Sequence, residues 1–369
     1  MAAETPSANP ETASPPARPR LASLDQFRGY TVAGMFLVNY VGSFAAMPAV
    51  LKHHNTYCSY ADTIMPHFLF AVGFALRLVL LRNIAAVGAA AAYTRALRRI
   101  TLLFLIGFVF YQLDLEGPTR GAGWASIWKP VTLATLWRDT FQTLVHIAVT
   151  SLWVLPVMAG PAWARLAFGA VSAGLHVWMS STFWYPLLHE KRVIDGGPLG
   201  FLTWTLCAVA GSFAYDFRQS RGARGSLIPL LGWGTGLMIA GYGLSCLGVG
   251  GPVAAPPFVP PAGAVDMWTM SQRAGSVTYL AFGAGFSMVV YAAFVWWCDI
   301  RGRSSAVLGI LGANALAGYL LHALVDVPFS AMKDKNDPLW LALLLTAGFM
   351  TVTTTLVWLL NRRGWHLRL

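Results

Sequence analysis

Apolar residues fall in long runs separated by short polar stretches, and those runs set the first expectation. They cover approximately residues 27–47, 63–81, 98–113, 140–158, 163–181, 199–215, 227–248, 276–297, 305–325 and 339–360. A helix needs about 20 mainly apolar residues to cross a bilayer, and lipid tolerates helices because their backbone groups bond internally. The pattern therefore predicts an all-α polytopic membrane protein of about ten transmembrane helices. Residues 1–20 are rich in Pro, Ala, Ser and Glu and contain no apolar run. They read as a disordered cytoplasmic tail ahead of one transmembrane domain over residues 21–369.

Composition narrows the class. Of 369 residues, 56% are hydrophobic and 11% charged, against about 25% charged in a typical soluble domain. This excludes a disordered chain, a disulfide scaffold and an ordinary cytosolic enzyme. The four cysteines, Cys58, Cys207, Cys246 and Cys298, show no paired or metal-binding spacing, so they read as core and no metal is expected.

The net charge is +11. Basic residues sit near the ends of apolar runs and form no long basic stretch, which argues for positive-inside bias and against a nucleic-acid partner. With ten spans and the first residue in the cytoplasm, 17 of the 26 Lys and Arg fall on the cytoplasmic side and 9 on the other. The expected topology has both termini cytoplasmic, in a membrane such as the bacterial inner membrane. The longer connections, including residues 48–62, then lie on the far side.

Three groups of residues could carry chemistry. His53 and His54 follow the first apolar run. A neutral imidazole can take a proton from an amine or hydroxyl, or attack as a nucleophile, although hydrated loop histidines also look like this. Arg28 pairs locally with Asp25 and, with Arg98 and Arg99, could meet a cytosolic phosphate or simply anchor the interface. Asn39, Asp62, His67, Gln142, His146, His176, Asn314 and His322 are polar residues in or at the ends of apolar runs. Such groups serve either a site or interhelical bonding.

Several stretches resemble one family. "RLASLDQFRGYTVAGMFLVNYVG" (20–42) is similar to the opening signature of the membrane heparan-α-glucosaminide N-acetyltransferases: Arg, Ser, Asp and Arg-Gly, an apolar helix, then an Asn. "ADTIMPHFLFAVG" (61–73) resembles that family's Ala-Asp block. "TFQTLVHIA" (140–148), "SQRAGSVTY" (271–279) and "NALAGYLLHALV" (314–325) resemble later blocks in the same order. The resemblance implies a membrane-bound acetyltransferase that takes acetyl from cytosolic acetyl-CoA to an amine or hydroxyl of a sugar or glycan beyond the membrane. The active-site histidine would be His54 or His53. Asn39 would be the helix Asn and a donor to the thioester oxygen, with Asn314 as an alternative, Asp62 would orient the imidazole, and His322 would be a second base. Arg28, Arg98 and Arg99 would contact the acetyl-CoA phosphates. Membrane lipid is the surrounding partner and a homodimer the candidate assembly.

The chain also departs from that pattern. His54-Asn55-Thr56-Tyr57-Cys58-Ser59 replaces the family's His-x-x-Trp-Asn-Gly, and Tyr57, three residues after His54, favours His54 in the alignment. Thr143 replaces the Arg of the third block. The competing class is a transporter or flippase of a small or lipid-linked solute, which polar residues within apolar runs suit equally.

Overall fold

The computed structural model describes residues 21–113, 132–191, 193–248, 253–260, 264–365 and 367. The tail expected over residues 1–20 lies outside the described residues. The fold is all-α, with no β-strand among the described residues. Twelve helices follow in order: α1 Ala22–Val41, α2 Ile64–Val87, α3 Ala89–Gln112, α4 Leu133–Arg138, α5 Thr143–Met158, α6 Ala162–Met179, α7 Tyr185–Glu190, α8 Phe201–Ser245, α9 Val277–Phe294, α10 Ala306–Ala313, α11 Ala315–Ser330 and α12 Leu339–Arg362. Short π-helical segments, Ser180–Trp184 and Val295–Ile300, join α6 to α7 and prolong α9.

The expectation of about ten transmembrane helices is wrong. Among the described residues four helical stretches are long and apolar enough to cross a bilayer: Ala61–Val87, Gly197–Ser245, Val277–Ile300 and Leu339–Arg362. A fifth is reached if α10 and α11, bent by 93° at their junction, count as one. The apolar runs do form helices, but a run is not a span. Runs 199–215 and 227–248 both fall in α8, which is interrupted at Gly222 (φ 66°, ψ −170°). α5 has only 16 residues. α1 carries Asp25, Gln26, Arg28 and Asn39, α3 carries Arg95, Arg98 and Arg99, and α6 carries Arg165 and His176. Those charged and polar groups dilute the apolar content that bilayer insertion needs. An all-α chain with several long apolar helices is nevertheless consistent with an integral membrane protein. Large apolar side chains on its outer surface, among them Trp163, Ile228 and Trp340, agree.

Glycines let the helices meet backbone to backbone. A Cβ on Gly73 of α2 would lie 2.0 Å from the Ala208 carbonyl oxygen, and one on Gly211 of α8 would lie 2.0 Å from that of Phe70. α1 and α10 repeat the device. A Cβ on Gly29 would lie 1.9 Å from the Leu308 oxygen, and one on Gly312 1.9 Å from that of Asp25. Close approach of this kind suits a bundle whose cohesion comes from packing. Around these crossings Phe27, Phe70, Phe74, Tyr215 and Tyr291 form one buried aromatic core with edge-on and tilted contacts.

Three ion pairs between helical elements share two carboxylates, Asp216 and Asp299. Arg77 Nε donates to Asp216 Oδ1 at 2.6 Å, and buried Arg165 donates to the other oxygen of the same carboxylate. Arg218 pairs with Asp299 at 2.7 Å, which also accepts from the Ser23 hydroxyl at 2.6 Å. Spare Arg77 donor capacity caps the end of α5 through the Met158 carbonyl. Each pair links different helices, so charge here fastens the bundle.

Candidate functional site

At the other end of α1, the loop after Gly42 returns over the bundle and brings His53 against Asp62. Asp62 is fully buried, just before α2. Its Oδ2 accepts the Ser59 N–H at 2.8 Å, its N–H donates to Ser59 Oγ at 3.3 Å, and the Tyr279 hydroxyl donates to its carbonyl at 2.5 Å. The carboxylate is thereby fixed, with Oδ1 turned 3.0 Å from His53 Nδ1. Gln272 Oε1 lies 3.0 Å from the same nitrogen. Two acceptors on Nδ1 assign it the proton and aim Nε2 away from them.

His53 Nε2 lies 3.4 Å from Asn39 Oδ1, and Asn39 Nδ2 lies 3.3 Å from His322 Nε2. His322 Nδ1–H donates to the Tyr319 carbonyl, and its ring sits between Phe36 and Tyr319. Four of the residues singled out in the sequence, Asn39, His53, Asp62 and His322, thus form one continuous network. His54 does not join it. Its Nε2 lies 3.1 Å from the Ala49 carbonyl oxygen and its ring packs tilted against Tyr57, 4.5 Å between centroids. The aromatic three residues on, which favoured His54 in the alignment, is what holds it aside. Asn314 is also elsewhere. It marks the bend between α10 and α11 and donates to the Ile310 carbonyl and to Asn361 Oδ1, both at 3.1 Å.

The His53 side chain is 42% exposed. Burial pulls its pKa down. The hydrogen bond and charge of Asp62, with the charge of Asp195 and the Gln272 bond, outweigh that, and the pKa stands above the ordinary 6.5. Asp195 and Gln272 were not among the expected site residues. Gln272 Nε2 donates to Asp195 Oδ1 at 2.8 Å, and Trp204 Nε1 holds the Asp195 carbonyl at 2.8 Å. Burial raises the Asp195 carboxyl to about 6, against the Gln272 bond and the His53 charge. Asp195 adopts φ 54°, and Gly196 beside it φ 81°. A Cβ on Gly196 would lie 3.2 Å from Gly275 Cα, so bare backbones allow the two loops to touch there. The signal for this pair was present as Asp-Gly-Gly-Pro (195–198) and within the "SQRAG" block, but 77 residues separate the partners.

The remaining polar candidates are structural in their contacts. His67 Nδ1 bonds Ser287 at 2.7 Å, His176 meets Ser180 at 3.4 Å, and His146 packs against Phe141 and Trp204. Gln142 is the residue preceding α5. The four cysteines are free. No group of three His, Cys, Asp or Glu is placed to hold a metal ion among the described residues.

The arginines assemble on the opposite side of the bundle. A cavity of about 880 Å³ opens among α1, α2, α3, α5 and α11, and Arg28, Arg98 and Arg99 all line it, joined by Arg82 and Arg95. Arg28 also lies 3.9 Å from Asp25. Arg82, Arg95, Arg98 and Arg99 are exposed, whereas Thr31, Leu144, Ile147 and Tyr319 in the same lining are buried, so the cavity turns largely apolar away from solvent. Leu21 and Leu367 both border the cavity, so both extremes of the described chain lie at the arginine end. A mouth of fixed cations above an apolar shaft suits an anionic head on a slender, less polar arm.

No family model matches the chain, and no curated protein matches it in sequence.

Proposed function

We propose that the protein is a membrane-bound acyltransferase that moves an acyl group, acetyl in the simplest case, from cytosolic acyl-CoA to an amine or hydroxyl of a sugar or glycan beyond the membrane. One observation carries the reading. α1 bears Arg28 in the cavity mouth and Asn39 in the histidine network, 11 residues apart and so about 16 Å along one helix. A single rigid element thus joins a phosphate-suited mouth to a paired imidazole. Acyl-CoA and an outside acceptor start on opposite sides of the bilayer, and that chemistry calls for two half-sites linked through the bundle.

His53 is the proposed base. With Nδ1–H held by Asp62, its Nε2 takes the acceptor's proton as the acceptor attacks the thioester carbonyl; the carbonyl–sulfur bond then breaks, and the proton passes from Nε2 to the departing CoA sulfur. Asn39 is the proposed amide donor to the thioester oxygen, after release from His322. His322 is a second base behind it. Arg28, Arg98 and Arg99 are the proposed phosphate contacts, supported by their common cavity. The arginine end faces the cytoplasm under the positive-inside rule, which sets residues 21 and 367 there and His53 on the far side. The resemblance of residues 20–42 and 61–73 to the membrane N-acetyltransferases points the same way.

The test is incubation of detergent-purified protein with radiolabelled acetyl-CoA and a panel of amino sugars. Label appearing on a sugar, and lost with His53→Ala, supports the proposal. No label on any acceptor and no binding of acetyl-CoA removes it. The 93° break at Asn314 favours a second reading, since transporters build sites at broken helices. Solute flux into proteoliposomes without acetyl-CoA would establish that reading instead.

A further inference from the structure

The cavity and the histidine network do not meet, and the same side chain borders both. On α11, Ala315, Leu316 and Tyr319 line the cavity, whereas His322, one turn further, does not. On α1 the lining stops at Thr31, eight residues and about 12 Å short of Asn39. Val32, Met35, Phe36 and Val38 fill that interval and are buried. Tyr319 lines the cavity while its carbonyl takes the proton of His322 Nδ1. Its ring lies 5.3 Å from the imidazole of His322.

The hydroxyl of Tyr319 is fastened from across the bundle. It lies 2.8 Å from the Tyr111 hydroxyl, both groups buried. Tyr111 in turn accepts the Leu144 N–H at 2.7 Å, which leaves its own proton for Tyr319. We propose that Tyr319, braced by Tyr111, is the partition between the arginine-mouthed cavity and the histidine network, and that its ring swings aside before anything in the cavity reaches His53. The inference rests on the reading that one path joins the two half-sites. It does not depend on which molecule uses that path.

Barriers of this kind are cheap to open. Among the described residues the Tyr319 hydroxyl is held by hydrogen bonds with Tyr111 and Thr143 alone, and the helix carrying it is already broken at Asn314, where α10 meets α11. Closed, the partition keeps water on the histidine side from a ligand held in the cavity, which either transfer or transport requires.

Side-specific labelling tests it on the full chain in right-side-out and inverted membrane vesicles. Asn39→Cys puts a thiol behind the partition, and the probe is a small, charged, membrane-impermeant thiosulfonate. The unsubstituted chain, with its four native cysteines, supplies the background. With Tyr319 intact, the new thiol should react from the histidine side and be slow from the arginine side. Tyr319→Ala should raise the arginine-side rate roughly tenfold or more and leave the other rate unchanged. Tyr111→Phe keeps the ring and removes the brace, so it should raise that rate about threefold to tenfold, the span set by one hydrogen bond. Equal labelling from both sides with Tyr319 intact overturns the proposal, as does an arginine-side rate unmoved in both variants. Should Tyr319→Ala aggregate on size exclusion, Tyr111→Phe decides alone. The labelling reads no acyl transfer, so a failed transfer assay would count against the proposed function and not against the partition.

Discussion

Asn39 Nδ2 stands 3.3 Å from His322 Nε2, and this contact orients the polar network around it. His322 Nδ1 gives its proton to the Tyr319 carbonyl, so its Nε2 is the acceptor and the Asn39 amide must point its nitrogen there. Asn39 Oδ1 is then turned to His53 Nε2, while Asp62 and Gln272 face His53 Nδ1. Acceptors on both ring nitrogens favour the imidazolium, in keeping with the raised His53 pKa.

That arrangement should make the proposed acyl transfer pH-dependent. A base must be neutral to act, so the rate should rise with pH through a value above 6.5. Asp62→Asn removes the strongest influence holding the proton and leaves burial, which acts downward. The acid limb should move to lower pH and the plateau should fall by roughly 10²-fold as the imidazole loses its orientation. Folding has the opposite sign. The charged His53–Asp62 pair contributes stability that is fully present below 6.5 and lost as pH climbs through the raised value. A rate–pH profile and thermal unfolding over pH 5–9 check both, and an unmoved acid limb in Asp62→Asn would refute the pairing.

The two adjacent histidines should separate cleanly. His53→Ala should lower transfer roughly 10²-fold or more. His54→Ala removes only the Tyr57 packing and the Ala49 contact, and should leave turnover within about threefold and stability within about 0.5 kcal/mol. Turnover of the two purified variants, side by side, decides which imidazole acts.

Asn39 distinguishes chemistry from bundle cohesion. Asn39→Ala should slow transfer by roughly 10²-fold with acetyl-CoA binding kept, the scale of one lost oxyanion donor. Asn39→Asp should be no faster, because a carboxylate accepts and cannot donate. A purely structural Asn39 would instead cost roughly 0.6–2 kcal/mol and leave the folded fraction active. Melting and turnover measured on one sample separate the outcomes.

These contrasts show what was legible in the sequence. Runs 63–81, 276–297 and 339–360 announced α2, α9 and α12 closely, because their few polar residues, such as His67, Arg77 and Ser287, leave each apolar run long enough to read as one helix. The number of spans was not legible. The polar stretch 216–226 divides two apolar runs yet lies within α8, broken only in backbone conformation at Gly222, and the bend at Asn314 leaves the apolar pattern of run 305–325 unchanged. Asn39, His53 and Asp62 were found because they lie within 24 positions of one another in motif-like surroundings. Asp195 and Gln272 escaped because only glycine-dependent packing of two distant loops brings them together.

The arginine mouth should govern donor affinity. Replacing Arg98 and Arg99 together by Ala should raise KM for acetyl-CoA about tenfold or more with kcat little changed, since phosphates far from the reacting carbonyl bind equally before and during transfer. Raising ionic strength should weaken donor binding in the unmodified protein in the same direction. A fall in kcat at constant KM would argue that these arginines serve the reaction centre.

Asp195→Asn should stabilise the protein. Folding raises this carboxyl from 3.8 to about 6, so the folded state loses stability as pH rises between those values and carries the full cost above 6. An amide at this position keeps the acceptor for Gln272 and suits φ 54°, a region Asn tolerates well. The expected gain at pH 7.5 is roughly 1–3 kcal/mol, from about 1.4 kcal/mol per pK unit. It should vanish near pH 4, as thermal melts at the two pH values would show.

The scarcity of self-sufficient spans bears on how the protein is made. α1 leaves the ribosome before α2, yet its Asp25, Gln26, Arg28 and Asn39 keep it from qualifying as a span by length and composition, and α2 is the first stretch that does. The glycine contact that seats α1 forms with α10, nearly 300 residues later in the chain. By length and composition α1 should not insert on its own, so its final placement should depend on partners made later in the chain, α10 among them. The helix that carries both Arg28 and Asn39 would be among the last to reach its final depth, so biogenesis itself would withhold activity until the bundle is complete.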